Sequence, residues 1–260
     1  MRRKLVAFLT VLSLWAVTCS ALEISQIEFD LQVEQGQEYT FSFTVRNETD
    51  DSQVVTIYLG DWERDSEGVN RFYEPETQTR SLSSWISFFP ATIGLEAEES
   101  DEVIVTLSVP SDQEVSLDGT YWGIIFVQGE PRPAERGGST VMAVERFGIK
   151  VYATVSGTEK TSGAVQNVEV TSSDDALTFS VTYENSGNVK QRVKGELTVI
   201  DRTGEQVREA QMGVFPVLPG NRRTVEISTD PLTQGIYQLT AVLDYGGEAL
   251  TAGVLPFRVR

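Results

Sequence analysis

The 260-residue sequence contains no histidine and one cysteine, Cys19. Nucleophilic catalysis by Ser or Cys usually recruits a neighbouring His, so that route is closed. A Ser–Lys arrangement remains formally open. Beyond residue 21 the lysines are Lys150, Lys160, Lys190 and Lys194, and none follows a Ser-x-x-Lys signature. Carboxylates are plentiful, and Asp61, Glu63 and Asp65 could serve as an acid–base pair on a glycosidic bond. With 38 acidic residues in the chain, such a pair arises by chance, and solvated strand faces and turns account for it. Zinc and copper would lack their His and Cys ligands. The stretch from Asp61 to Gly68 is as rich in oxygen as a calcium loop, but Trp62 and Glu63 break the spacing such a loop needs. The chain therefore reads as non-catalytic, with no cofactor and no metal.

Two segments have the chemistry of binding. Arg71-Phe72-Tyr73 places aromatics beside a cation inside a long insertion, residues 63–84, as protein or carbohydrate contacts often do. The plainer alternative is that Phe72 and Tyr73 fold the insertion back onto its own domain. The second segment runs from Val141 to Val151. Val141, Ala143, Phe147, Ile149 and Val151 share one face, interrupted by Glu145. As an edge strand it could pair with another chain. As an ordinary closing strand it would carry Glu145, Arg146 and Lys150 as charges that guard against aggregation.

The elements that hold these segments are strands. Ile27, Phe29, Leu31 and Val33 alternate with polar residues, as do Tyr39, Phe41, Phe43 and Val45, then Val55, Ile57 and Leu59, then Val103, Val105, Leu107 and Val109. Tyr121 to Val127 and Thr140 to Val155 complete the first set. After a glycine-bearing stretch, residues 156–163, the pattern restarts with Val165, Val168 and Val170 and continues to Val259. This predicts an all-β chain of two immunoglobulin-like β-sandwich domains in tandem, residues 22–155 and 164–260, joined by a linker. Trp62, Trp85, Tyr121 and Tyr237 are the expected structural anchors. Trp62 suits a buried strand tryptophan, and the Gly-x-Tyr pairs at Tyr121 and Tyr237 suit tyrosine corners. The halves share a theme, because an Asn-led turn follows a strand at both Asn47 and Asn185.

Residues 1–21 read as an export signal. Arg2, Arg3 and Lys4 precede an apolar run, and Thr18-Cys19-Ser20-Ala21 offers small residues for cleavage between Ala21 and Leu22. The run falls short of the roughly 20 residues of a membrane span. A retained anchor and a lipid-modified Cys19 are the competing readings. The mature chain is expected to have no transmembrane segment and to lie in the periplasm or on the cell surface. The net charge of −17 sits mostly on the first domain, which argues against a nucleic-acid partner.

Trp85, Phe89-Pro90, Leu95, the alternating Val103 to Pro110 and Gly119-x-Tyr121 together resemble the amino-terminal domain of PapD-like periplasmic chaperones. That resemblance implies two immunoglobulin-like domains and, in some members, pilus assembly by lending a strand to an incomplete subunit. Phe147 to Tyr152 looks like the lent strand. Lys150 matches a lysine that holds the subunit's carboxyl terminus. The family pairs this lysine with an arginine on the first strand, whereas residues 22–45 here contain neither Arg nor Lys. The second domain, through Tyr183-x-Asn185-x-Gly187-Asn188 and Leu218-Pro219-Gly220, looks more like fibronectin-type or adhesion-type repeats of bacterial surface proteins. The expected function is an exported envelope protein that binds another envelope or surface protein, by strand pairing or through the insertion. A surface module binding glycan or matrix is the alternative, and a carboxylate glycoside hydrolase the remote one.

Overall fold

The first alternating segment folds as two strands, β1 (Leu22–Ile24) and β2 (Glu28–Val33), because the chain crosses between two sheets at Ser25–Ile27. Ile27 is consequently exposed, although the alternation groups it with buried Phe29 and Val33. The computed structural model describes residues 21–111, 117–136, 138–173 and 175–260, without the side chains of 134–136. Of the expected leader, residues 1–21, residues 1–20 with Cys19 lie outside the described residues.

The first domain continues with β3 (Glu38–Asn47), β4 (Gln53–Arg64), β5 (Asn70–Tyr73), β6 (Ile86–Phe89), β7 (Thr92–Leu95), β8 (Ser100–Ser108), β9 (Gly119–Gln128), β10 (Arg132–Arg136), β11 (Ser139–Ala143) and β12 (Arg146–Val155). One sheet has the order β1-β3-β8-β6. The facing sheet runs β2-β12-β9-β4-β5, with β7 also pairing β4. A core fills the space between them: Phe43 and Val45, Val55 and Ile57, Val103, Val105 and Leu107, Ile125 and Val127, Ile149 and Val151. Each such fully buried aliphatic contributes about 1.5–3 kcal/mol.

The second domain contains β13 (Gly163–Ser172), β14 (Leu177–Asn185), β15 (Gln191–Asp201), β16 (Gln206–Val217), β17 (Arg222–Thr229), β18 (Gly235–Asp244) and β19 (Thr251–Val259). Its sheets are β13-β14-β17 and β16-β15-β18-β19. Leu177, Phe179, Val181 and Tyr183 pack there against Val193, Leu197, Val199, Leu239 and Leu243. The chain is all-β, in two sandwiches, as the alternation predicts. Among the described residues the one helical turn is Ser83–Trp85, and no helix is long and apolar enough to cross a membrane.

Two anchors differ in their setting from the expectation. Trp62 is buried, but on the outer side of its sheet, in a separate cluster with Trp122, Ile124, Phe126, Tyr152 and Leu218 of the second domain. It does not belong to the sandwich core, a place Trp85 takes instead. Tyr121 lies tilted against Trp85 with ring centroids 4.6 Å apart and sits under Arg80, and no hydrogen bond ties it back as a tyrosine corner among the described residues. Tyr237 does form that corner, its hydroxyl donating to the Thr233 carbonyl at 2.8 Å.

The linker is held along its length. Thr158 donates its hydroxyl to the Val155 carbonyl at 2.6 Å, and the Lys160 N–H donates to Asn188 Oδ1 at 2.7 Å. The domains are also bonded directly. Thr120 N–H donates to the Asn188 carbonyl and Thr224 N–H to the Ser66 carbonyl, both at 2.8 Å. The Asn188 carboxamide donates to Asp118 Oδ2 and to the Thr158 carbonyl, both at 2.9 Å.

Candidate functional site

Strand β12 is the meeting point of the first domain's surface features. It pairs with β9 along its whole length, from Arg146↔Gln128 to Val155↔Gly119. On its other side β2 pairs in parallel only from Lys150 onward. Among the described residues, nothing pairs with Arg146–Ile149 on that side. Lys150 N–H reaches the Ile27 carbonyl at 3.0 Å, so by strand alternation the backbone groups of Gly148 point to the same, open side. The edge continues into β11, whose one partner among the described residues is β10. Val141 and Met142 on β11, and Val144 just after it, are 42%, 63% and 47% exposed.

The expectation that one apolar face of this strand meets a partner needs correction. Ile149 and Val151 are fully buried in the first domain's own core, and Phe147 packs half-buried against it. Glu145 marks the break: its carboxylate turns inward to accept the N–H groups of Ala21 and Leu22. What β12 offers outward is its backbone edge and the exposed side chains of β11.

At the lower end of the open edge lies Lys150. Its ammonium sits 4.6 Å from the centroid of the Trp62 ring, and the Arg64 guanidinium lies 5.6 Å from the same ring. Among the described residues, no carboxylate forms an ion pair with Lys150. Burial, and then the Arg64 charge, hold its pKa below the ordinary lysine value. The Trp62 Nε1–H finds no acceptor among the described residues. Both cations thus lie against the ring of buried Trp62, and an ammonium without a carboxylate partner at a strand edge favours an incoming carboxylate. The first strand supplies no arginine to this spot. Instead its Glu28 and Asp30 hold Lys190 of the second domain, at 3.2 and 2.6 Å, while Lys190 lies 3.6 Å from the Tyr152 ring. Burial pushes the Tyr152 phenol well above its usual pKa. Arg64 was not among the residues singled out in the sequence. The signal for it is positional: it ends β4 two residues after Trp62.

The insertion forms β5 and lengthens β4, with Asp61 opposite Tyr73 and Trp62 opposite Phe72. Arg71 does not act with its neighbours, because it bridges to Asp65 at 3.0 Å. The cation beside the aromatics is Arg146, which lies 5.7 Å from Phe72 and 4.6 Å from Phe126. Phe72 meets Phe126 edge-on at 5.2 Å. Tyr58, Phe72, Tyr73, Phe126 and Arg146 line a cleft of about 550 Å³.

Two of the three carboxylates of the remote hydrolase reading, Asp61 and Asp65, are committed elsewhere. Asp61 is fully buried and accepts from Thr77 N–H, Gln78 N–H and the hydroxyls of Ser81 and Ser83. Asp65 accepts the Val69 N–H, which with Arg71 lowers its pKa and closes the turn. Among the described residues no three acidic or thiol side chains cluster to hold a metal.

No family model matches the chain, and no curated protein matches it. Several solved structures are similar in fold. The class 5 fimbriae chaperone CfaA matches with a TM-score of 0.47 at 11% identity, over 90% of this chain and 98% of that one. The YadV chaperone matches with a TM-score of 0.46 at 12% identity, over 92% and 100%. The CsuC–CsuE chaperone–tip adhesion subunit complex of Acinetobacter baumannii Csu pili gives a TM-score of 0.46 at 15% identity, over 91% and 98%.

Proposed function

We propose that this protein is an exported, non-catalytic assembly or protein-binding module of the bacterial envelope. Its first domain takes an extended segment of a partner protein along the open edge of β12 and β11. The carrying observation is that edge: among the described residues Arg146–Ile149 has no strand partner on the β2 side, and it runs between the exposed apolar residues Val141, Met142 and Val144 and the Lys150 ammonium, which no described carboxylate pairs. Backbone pairing supplies affinity, and Val141, Met142 and Val144 supply apolar contact. Lys150, with Arg64, receives a carboxylate at the end of the segment.

The test is affinity capture from an envelope extract of the source cells, with partners identified by mass spectrometry. Capture of one dominant β-rich protein, lost with Val141→Lys/Met142→Lys and weakened by Lys150→Met, supports the reading. Capture unchanged by both variants overturns it. A second reading rests on the cleft at Arg146, whose aromatic walls and guanidinium suit a sugar ring. Retention on a glycan array, abolished by Phe72→Ala, would favour that glycan-binding module instead.

A further inference from the structure

Both domains are built around the same buried hydrogen-bond unit, and each uses one backbone carbonyl just before its opening strand. In the second domain it belongs to Ser162, which accepts from the N–H groups of Ser186 (3.0 Å) and Gly187 (2.9 Å) and from Gln191 Nε2 (3.0 Å). In the first domain it belongs to Ala21, which accepts from the Glu48 N–H at 3.1 Å and from Gln53 Nε2 at 3.0 Å. The registers agree: Gly163, after Ser162, faces Asn185, and Leu22, after Ala21, faces Asn47. Ser162 lies mid-chain and always has its carbonyl. Ala21 lies at the boundary with the leader, and a cut after it would remove an acceptor on which buried Gln53 depends.

The other side of Ala21 is equally occupied. Its backbone nitrogen stands 2.8 Å from Glu145 Oε2, which also accepts the Leu22 N–H at 3.2 Å. Glu145 is the residue that interrupts the apolar face between β11 and β12. A carboxylate there suits a positive charge on that nitrogen better than it suits a neutral amide.

We propose that the leader is cleaved between Ser20 and Ala21, one bond earlier than the small-residue pattern first suggests, and that the new α-ammonium pairs with Glu145. Thr18 and Ser20 provide the small residues before this bond. The step is hydrolysis of the Ser20–Ala21 amide by a leader peptidase. Water's oxygen joins the Ser20 carboxylate, and the Ala21 nitrogen takes up protons to become the ammonium. The inference rests on the export reading, but its failure is separable from the failure of that reading.

The experiment is to express the full 260-residue chain in a secreting bacterial host and determine the first residue of the product by intact mass and amino-terminal sequencing. A product starting at Ala21 is expected. A product starting at Leu22, or at an acylated Cys19, overturns the inference while leaving export intact. A cytoplasmic chain that retains residues 1–20 overturns the export reading, and this inference falls with it. Scar-free chains of residues 21–260 and 22–260 test the structural half. The longer should melt about 3 °C or more above the shorter. Both Glu145→Gln and acetylation of the Ala21 amine should erode that gap, and equal melting of the two chains overturns the role given to Ala21.

Discussion

The carboxamides of Asn47 and Asn185 make the same bonds in the two domains. Nδ2 donates to the carbonyl four residues on, Asp51 or Val189, at 2.8 Å in each case. It donates again to a distant strand end, Glu96 at 2.9 Å or Val217 at 3.0 Å. Oδ1 accepts the N–H two residues on, from Thr49 at 3.1 Å or Gly187 at 3.0 Å. Both side chains are fully buried, so removing either takes a donor from two carbonyls and an acceptor from an N–H and leaves a hole in their place. Asn47→Ala and Asn185→Ala should each cost about 3 kcal/mol. Thermal unfolding would show a loss of about 6 °C or more. Asn→Asp should be about as damaging as Asn→Ala, because the lost groups are the two donors.

Residues of the closing strand should separate cleanly into binding and folding positions. Val141→Lys/Met142→Lys falls on exposed side chains and should shift stability by about 0.5 kcal/mol or less. Ile149→Lys buries an unpaired charge in the first domain's core and should unfold that domain at ambient temperature. Circular dichroism melts of the two variants check this. A folded, stable Ile149→Lys protein would contradict the core assignment.

Acid should loosen the seam between domains at Asp118. Its carboxyl is held below the ordinary value of 3.8, first by the Asn188 carboxamide and then by Arg80. A carboxyl whose folded-state pKa is lowered stabilises the fold above its unfolded value, and that contribution is lost as pH falls through the folded value. The gap in melting temperature between wild type and Asn188→Ala should therefore be constant near about pH 6 and narrow below about pH 4. Because Asp118 is partly exposed, the part of the gap that depends on pH should stay below about 1 kcal/mol.

Gly119 should be intolerant for a reason that a control can isolate. Its φ is +63°, and an added Cβ would fall on the backbone carbonyl of Asn188. Gly204 has φ of +87° with open space around it. Gly204→Ala therefore reports strain alone, whereas Gly119→Ala adds a collision across the seam. Limited proteolysis within residues 156–162 should speed up about tenfold or more in Gly119→Ala, equivalent to about 1.4 kcal/mol of opening. In Gly204→Ala it should stay unchanged.

The strand order of importance was readable wherever one face meets water. In β8, Val103, Val105 and Leu107 alternate in sequence and are buried in fact. Alternation fails where both faces are covered. The continuous run Ile124 to Val127 looks like a single hydrophobic strand centre, yet Ile125 and Val127 face the core while Ile124 and Phe126 join the cluster reached by Leu218. The same blindness placed Trp62 in the wrong layer, since a period of two distinguishes faces without saying what covers each. At the site, Lys150 was legible through the family resemblance. Arg64 was not, because its approach to the same ring depends on the length of β4 and on the pairing of β5. Arg71 misled by adjacency: neighbours in a strand point to opposite sides, so the cation that meets Phe72 comes from another strand.

The seam is bonded from several sides. Backbone N–H groups of Thr120 and Thr224 are spoken for by carbonyls across it, and a tryptophan-lined patch from one sandwich closes over Leu218 from the other. The two sandwiches therefore present their surfaces at a preset angle, like the jaws of a fixed-gap caliper.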